Sequence, residues 1–194
     1  MDPVLDQAVR YLANSSGTLP THASVVETLL EAEKITKQTK VQHAYSQLLG
    51  NWRLGFITGT KRTRQRAGVV LGAGRFLPRW VKIYLTYVQP DTSLDQGTIQ
   101  NQVDLGPLQL ILTGPTRFWS KKNILAFDFT RLKATLSGLK LYEGFVRGGR
   151  DREATFQEQR LKGQAFFTYF LVEADCIAAR GKGGGLALWV REEG

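Results

Sequence analysis

The chain has 194 residues, of which 42% are hydrophobic, 10% aromatic and 22% charged. That suffices for one domain with a sizeable core and is too apolar for a disordered chain. No run of 18 apolar residues occurs, which argues against a membrane-spanning helix, and the single cysteine, Cys176, excludes an internal disulfide and a cysteine-clustered metal site.

The net charge of +9 is unevenly spread. Residues 1–47 carry four basic and five acidic side chains; residues 48–194 carry 22 basic and 12 acidic. Eleven Lys or Arg residues and no acid lie between Glu33 and Asp91, a field that attracts polyanions, whether nucleic acid or an anionic bilayer. The opening MDPVLDQAVRYL has two acids and no basic-then-apolar layout, so it reads as neither a secretory signal nor a transit peptide.

Residues 1–47 are predicted to be helical. Asp2 is placed to cap a helix with Pro3 at its first position, and Val4, Leu5, Ala8, Val9 and Leu12 recur on one face. After the break at Asn14–Gly17, a second helix starts at Pro20-Thr21 with Val25, Val26, Leu29 and Leu30 at spacings of three and four. Val41–Leu49 reads as a third short helix. The near-neutral charge of this region and its lack of a basic recognition helix argue against a DNA-binding helix-turn-helix. It reads as packing that closes one end of the next element.

From Trp52 the apolar period becomes two. Trp52, Leu54 and Phe56 alternate first, then Val81, Ile83, Leu85 and Tyr87, then Ile99, Asn101, Val103 and Leu105. Leu108–Leu112, Leu125–Phe129, Leu136–Tyr142, Phe166–Val172, Cys176–Arg180 and Leu186–Val190 complete the series. Strands of this length with regular turns predict an antiparallel sandwich or barrel. The Gly-, Lys- and Arg-rich stretch Thr58–Pro78 reads as a long loop holding a short strand, Val69–Leu71, and DREATFQEQR (151–160) reads as a polar connection with a helical turn or two.

Catalytic motifs are lacking. His22 and His43 have no acidic partner at ligand spacing, Cys176 has no adjacent histidine, and there is no GxSxG, HExxH or Walker A sequence. Gly72-Ala73-Gly74 lacks the third glycine of a dinucleotide fingerprint. Gly181-Lys182-Gly183-Gly184-Gly185 has the composition of a phosphate cradle, but between two apolar strands it reads as a hairpin turn. The chain therefore reads as a non-enzyme without a resident cofactor.

Two segments carry a family resemblance. Leu48-Leu49-Gly50-Asn51-Trp52-Arg53-Leu54 resembles the Gly-x-Trp opening of lipocalin-like barrels, and with its flanks that of the plastid-lipid-associated proteins, or fibrillins, of chloroplasts and cyanobacteria. Asp175–Val190, with Arg180-Gly181 before its last strand, is similar to that family's C-terminal Arg-Gly and closing strand. The preceding stretch, Phe170–Ile177, departs from the family: only Glu173 and Asp175 match its acidic pattern, and Ile177 replaces an arginine.

The resemblance implies a mainly β fold with N-terminal helices (α+β), a lipocalin-like antiparallel barrel of about eight strands over residues 48–194, capped by helices from residues 1–47. It also implies a carrier of a hydrophobic small molecule, such as a quinone, carotenoid or acyl lipid. The expected setting is the thylakoid membrane, on its cytoplasmic side in a cyanobacterium or its stromal side in a plastid. Interior ligand contacts are expected from Leu54, Phe56, Ile83, Leu85, Tyr87, Val103, Leu110, Phe127 and Phe129. Gly50, Trp52, Arg180 and Gly181 are expected to close the barrel, with Arg180 over Trp52 as the cation–π partner. A membrane- or anion-facing rim is expected from Lys61, Arg62, Arg64, Arg66, Arg75 and Arg79 with Phe76 and Trp80. An alternative reading, RNA or single-stranded DNA binding, would stack bases on Phe76, Trp80, Phe118 and Trp119. A tetrapyrrole binder or chromophore lyase is a third.

Overall fold

The computed structural model describes residues 1–14, 17–59, 74–78, 80–90 and 93–192. Two helices come first. In α1 (Pro3–Asn14) the Val4 amide donates to Asp2 Oδ1 at 2.8 Å, and in α2 (His22–Thr39) the Ser24 amide donates to Thr21 Oγ1 at 3.2 Å. These caps satisfy amides that a helix start leaves without partners. The predicted third helix is only a 3₁₀ turn, Tyr45–Leu48, preceded by extended chain.

The strands are β1 (Gly50–Ile57), β2 (Arg75–Phe76), β3 (Lys82–Val88), β4 (Gln96–Leu105), β5 (Leu108–Trp119), β6 (Ile124–Phe127), β7 (Arg131–Leu136), β8 (Leu139–Phe145), β9 (Ala165–Val172), β10 (Cys176–Gly181) and β11 (Leu186–Arg191). A short helix, α3 (Gly149–Thr155), lies between β8 and β9 and overlaps the predicted polar connection. The strand order β4-β3-β1-β11-β10-β9-β6-β5, with β5 pairing back onto β4, makes a closed eight-stranded antiparallel barrel. The sandwich alternative is thereby excluded. Lys82–Val88, Gln96–Leu105 and the Gly181–Gly185 hairpin lie where the alternation and turn chemistry predicted them.

A second part differs from expectation. The predicted strand Leu136–Tyr142 is interrupted: Ser137-Gly138 turns a hairpin between β7 and β8, with both residues at positive φ (48° and 81°), as a type I′ turn requires. One edge of β5 is shared: Thr116–Trp119 pairs with β6, and Leu108–Thr113 pairs with β7. The β7–β8 hairpin therefore extends the sheet beyond the barrel wall.

Two apolar clusters result. The outer one joins Leu5, Ala8, Val9, Leu12, Val25, Val26 and Leu29 of the helices to Phe56, Phe170, Cys176, Ala178, Leu186, Leu188 and Val190 on the barrel wall. The inner one fills the barrel with Tyr45, Leu48, Trp52, Tyr87, Ile99, Phe118, Leu125, Tyr169, Ile177 and Trp189, among others. Among the described residues no helix is long and apolar enough to cross a membrane.

Candidate ligand-binding barrel

One end of the barrel is plugged. The Trp52 indole, fully buried, donates from Nε1 to the Leu48 carbonyl at 2.7 Å, and the Arg191 guanidinium carbon lies 4.0 Å from the Trp52 ring centroid. Arg191 Nη1 also donates to the Leu49 carbonyl at 3.2 Å, and Nε donates to the Ala174 carbonyl. Gly50 sits beside it at φ 120°, and a Cβ there would lie 2.5 Å from Arg191 Nη1. The Gly-x-Trp motif thus has a physical reading: glycine leaves room for the arginine that covers the tryptophan.

That arginine is Arg191 and not, as the sequence led us to expect, Arg180. The Arg180 side chain points out of the barrel to α2, where Nε donates to Glu33 Oε1 at 2.8 Å and Nη2 to Glu33 Oε2. Its Nη1 donates to the Gly184 carbonyl at 2.7 Å. Residues 176, 178 and 180 share the outward face of β10, whereas Ile177 and Ala179 point inward. Parity along the strand therefore forbids the Arg180–Trp52 contact. Glu33, buried on the apolar face of α2, has its pKa held down chiefly by hydrogen bonding from Arg180 and then from Lys37, against the opposing effect of burial.

A second correction comes from β1. Trp52 and Leu54 point inward, but the β1–β11 register slips between Leu54 and Phe56. That bulge, next to Gly55, whose missing side chain makes room for Leu12 of α1, turns Phe56 outward. Phe56 is fully buried beneath the helices, edge-on to Phe76 at 4.9 Å and beside His22 at 6.4 Å. It contributes to helix docking and cannot touch a ligand inside the barrel.

The other candidates do share the inner face. Directly opposed residues on antiparallel strands lie on one side of the sheet, so the pairings Ile83–Val103, Val103–Leu110 and Leu110–Ala134 align one apolar row. Below it run Leu85–Asn101, Asn101–Leu112 and Leu112–Leu132, and below that Tyr87–Ile99. Burial changes along this axis. At the plugged end Trp52, Tyr45, Tyr87, Ile99, Leu125 and Tyr169 are at most 1% exposed. Towards the opposite end Leu54, Ile83, Asn101, Val103, Leu110, Leu112, Phe129, Phe167 and Ala187 are all only half-buried. Phe127 is buried in that half, stacked on Phe167 at 4.8 Å and tilted against Phe129 at 5.4 Å.

The packed half holds paired hydroxyls. Tyr87 and Tyr169 hydroxyls lie 2.5 Å apart, and Tyr45 pairs with Thr116 Oγ1 at 2.7 Å. Burial pushes the Tyr45 phenol up to about 12 and raises those of Tyr87 and Tyr169 well above the ordinary tyrosine value. Burial also raises the Cys176 thiol, which lies in the outer cluster, so it stays protonated and gains no nucleophile's character.

The open end carries the β4–β5 and β7–β8 turns, joined by the Ser137 amide donating to the Pro107 carbonyl at 2.8 Å. Trp80, 78% exposed, Gly106, Pro107, Ser137 and Gly138 border a groove of about 660 Å³ floored by Lys82, Asp104, Gln109 and Thr135 on the sheet's outer, polar face. Leu105, Leu136, Leu139 and Leu141 are exposed at the same tips. Of the expected rim, Arg75 is exposed and Phe76 half-buried, while Lys61, Arg62, Arg64, Arg66 and Arg79, with the Val69–Leu71 strand, lie outside the described residues. The proposed base-stacking aromatics do not form one platform: Phe118 is inside the barrel, Phe76 packs on Phe56, and Trp119 lies under Arg117.

No family model and no curated protein matches this chain. Among solved structures it is similar to one described as "Structure of EF1p2_mFAP2b bound to DFHBI", at 13% identity over 79% of this chain and 99% of that one, with a TM-score of 0.34.

Sequence reasoning missed two residues that organise the barrel and the helices packed on it. Arg191 and Glu33 were hidden because their partners are distant in the chain. Asn101 was visible as a polar residue in an apolar phase of β4.

Proposed function

We propose that the protein is a non-enzymatic carrier of one hydrophobic small molecule, an isoprenoid such as a quinone or carotenoid, or an acyl lipid. The supporting observation is the burial gradient inside the barrel: one half is packed solid, and the other presents a continuous half-buried apolar wall from Leu54 and Ile83 to Leu110 and Ala134. Each Å² of that wall covered by a ligand is worth about 25 cal/mol, so covering about 300 Å² contributes roughly 7 kcal/mol before the cost of immobilisation.

Docking on an anionic membrane is part of the same reading. Trp80 and the leucines at the turn tips surround the open end together with Arg75, Lys82 and Lys140, a mixture of apolar and basic groups suited to a headgroup layer. The resemblance to plastid-lipid-associated proteins makes the photosynthetic membrane the proposed setting. The test is solvent extraction of protein purified from its native host, followed by mass spectrometry, alongside quinone titration of tryptophan fluorescence. A stoichiometric lipid and saturable quenching of tryptophan fluorescence support the reading. No copurifying lipid together with unchanged fluorescence refutes it.

A further inference from the structure

Resting on the carrier reading, we infer that the ligand is an amphiphile carrying a hydroxyl group, an alcohol or phenol, which Asn101 receives at the floor of the open half of the barrel. Asn101 sits in the middle of the inner wall, opposite Leu85 on β3 and Leu112 on β5, two apolar side chains. Its Oδ1 is buried and accepts no hydrogen bond within the described structure. An acceptor held in apolar surroundings without a donor costs about 1–3 kcal/mol, so an unsatisfied one on a binding wall marks a place where a donor is expected.

The position separates Asn101 from the other unpartnered polar atoms. Arg117 points outward from β5 towards the Gln157 carbonyl, and His43, Gln157 and Gln164 lie on connections outside the barrel strands. Only Asn101 lies on the inner apolar wall, one row above the Tyr87–Ile99 row that closes the packed half. A head group resting there cannot descend further. Its tail would run up past Val103 to Leu105, four residues along β4, a rise of about 13 Å that fits a chain of roughly ten carbons.

The amide makes the choice of head group specific. A hydroxyl can donate to the unpartnered Asn101 Oδ1. A pure hydrocarbon leaves Oδ1 unpaired, and an ether can only accept. A site that hydrogen-bonds a ligand hydroxyl rejects the analogue lacking it, because the protein group is then stranded.

The experiment compares dodecan-1-ol with 1-methoxydodecane on the full chain, by tryptophan fluorescence titration, in wild type and Asn101→Leu. The expected result is about ten-fold tighter binding of the alcohol by wild type, with Asn101→Leu binding both probes alike and holding the ether at least as well. Equal affinity of wild type for the two probes overturns the inference and leaves the carrier reading standing. An alcohol preference that survives in Asn101→Leu overturns the assignment to this residue. Absence of binding by either probe overturns the inference, and the carrier reading is then decided by the extraction and quinone titration. The wild-type comparison decides the matter even if the variant does not fold.

Discussion

Gly50→Ala tests the physical meaning assigned to the Gly-x-Trp motif. The backbone there has φ 120°, and a methyl group would lie 2.5 Å from Arg191 Nη1. Holding a non-glycine residue in such a conformation costs about 1–3 kcal/mol. Displacing Arg191 from Trp52 forfeits a shielded cation–π contact worth about 1–2 kcal/mol. The Leu49 hydrogen bond adds about 1 kcal/mol. Together these come to about 4 kcal/mol, a large part of the stability of a domain this size and about 12 °C in Tm. Urea unfolding followed by tryptophan fluorescence measures it. The decisive comparison is the same substitution in an Arg191→Leu background, where no guanidinium remains to be displaced. Only the backbone cost should then persist, giving a coupling of about 2 kcal/mol between the two sites. If Gly50→Ala costs the same in both backgrounds within about 0.5 kcal/mol, the glycine does not make room for Arg191 and the explanation is wrong.

Glu33→Gln should destabilise the protein at neutral pH, because it removes the charge that pairs with Arg180 across the helix–barrel interface and with Lys37 on the same helix. The Glu33 pKa is depressed in the folded state from an ordinary value of 4.5, so its stabilisation is fully present above that value and disappears as pH falls through the lower folded pKa. The difference in urea midpoint between wild type and variant should therefore shrink below pH 4.5; a gap unchanged down to pH 3 contradicts the pairing. Leu54 and Phe56 offer opposite tests two positions apart. Phe56→Ala should cost about 3–5 kcal/mol in urea unfolding while leaving quinone or alcohol affinity unchanged, and Leu54→Gln should weaken binding with a smaller loss of stability. Equal effects of the two on affinity would place Phe56 inside the barrel after all.

Much of the architecture was legible in the chain because it is local. The switch from helical to alternating periodicity near Trp52, the cap at Asp2, the helix start at Pro20-Thr21 and the glycine turn after Arg180 depend on neighbouring residues, and the structure contains each. The apolar phase of β3, β4 and β5 even included Asn101 among the inward positions, since strand geometry alone fixes which residues share a face. The barrel wall that carries the candidate site was thus largely written in the alternation.

Tertiary structure decided the rest. A bulge of one residue beside Gly55 reverses the facing of Phe56, and no periodicity count reveals whether a ladder slips there. Arginine at 180 and arginine at 191 look equally able to cover Trp52; their parity on adjacent strands sends one to Glu33 and the other to the ring. The division of the β5 edge between β6 and β7, and the resulting packed and open halves, depends on pairings between strands far apart in sequence. Local chemistry determined which elements form and which residues are apolar. Packing determined which of those apolar residues remain accessible to a ligand, because accessibility belongs to the assembled wall and not to any strand within it.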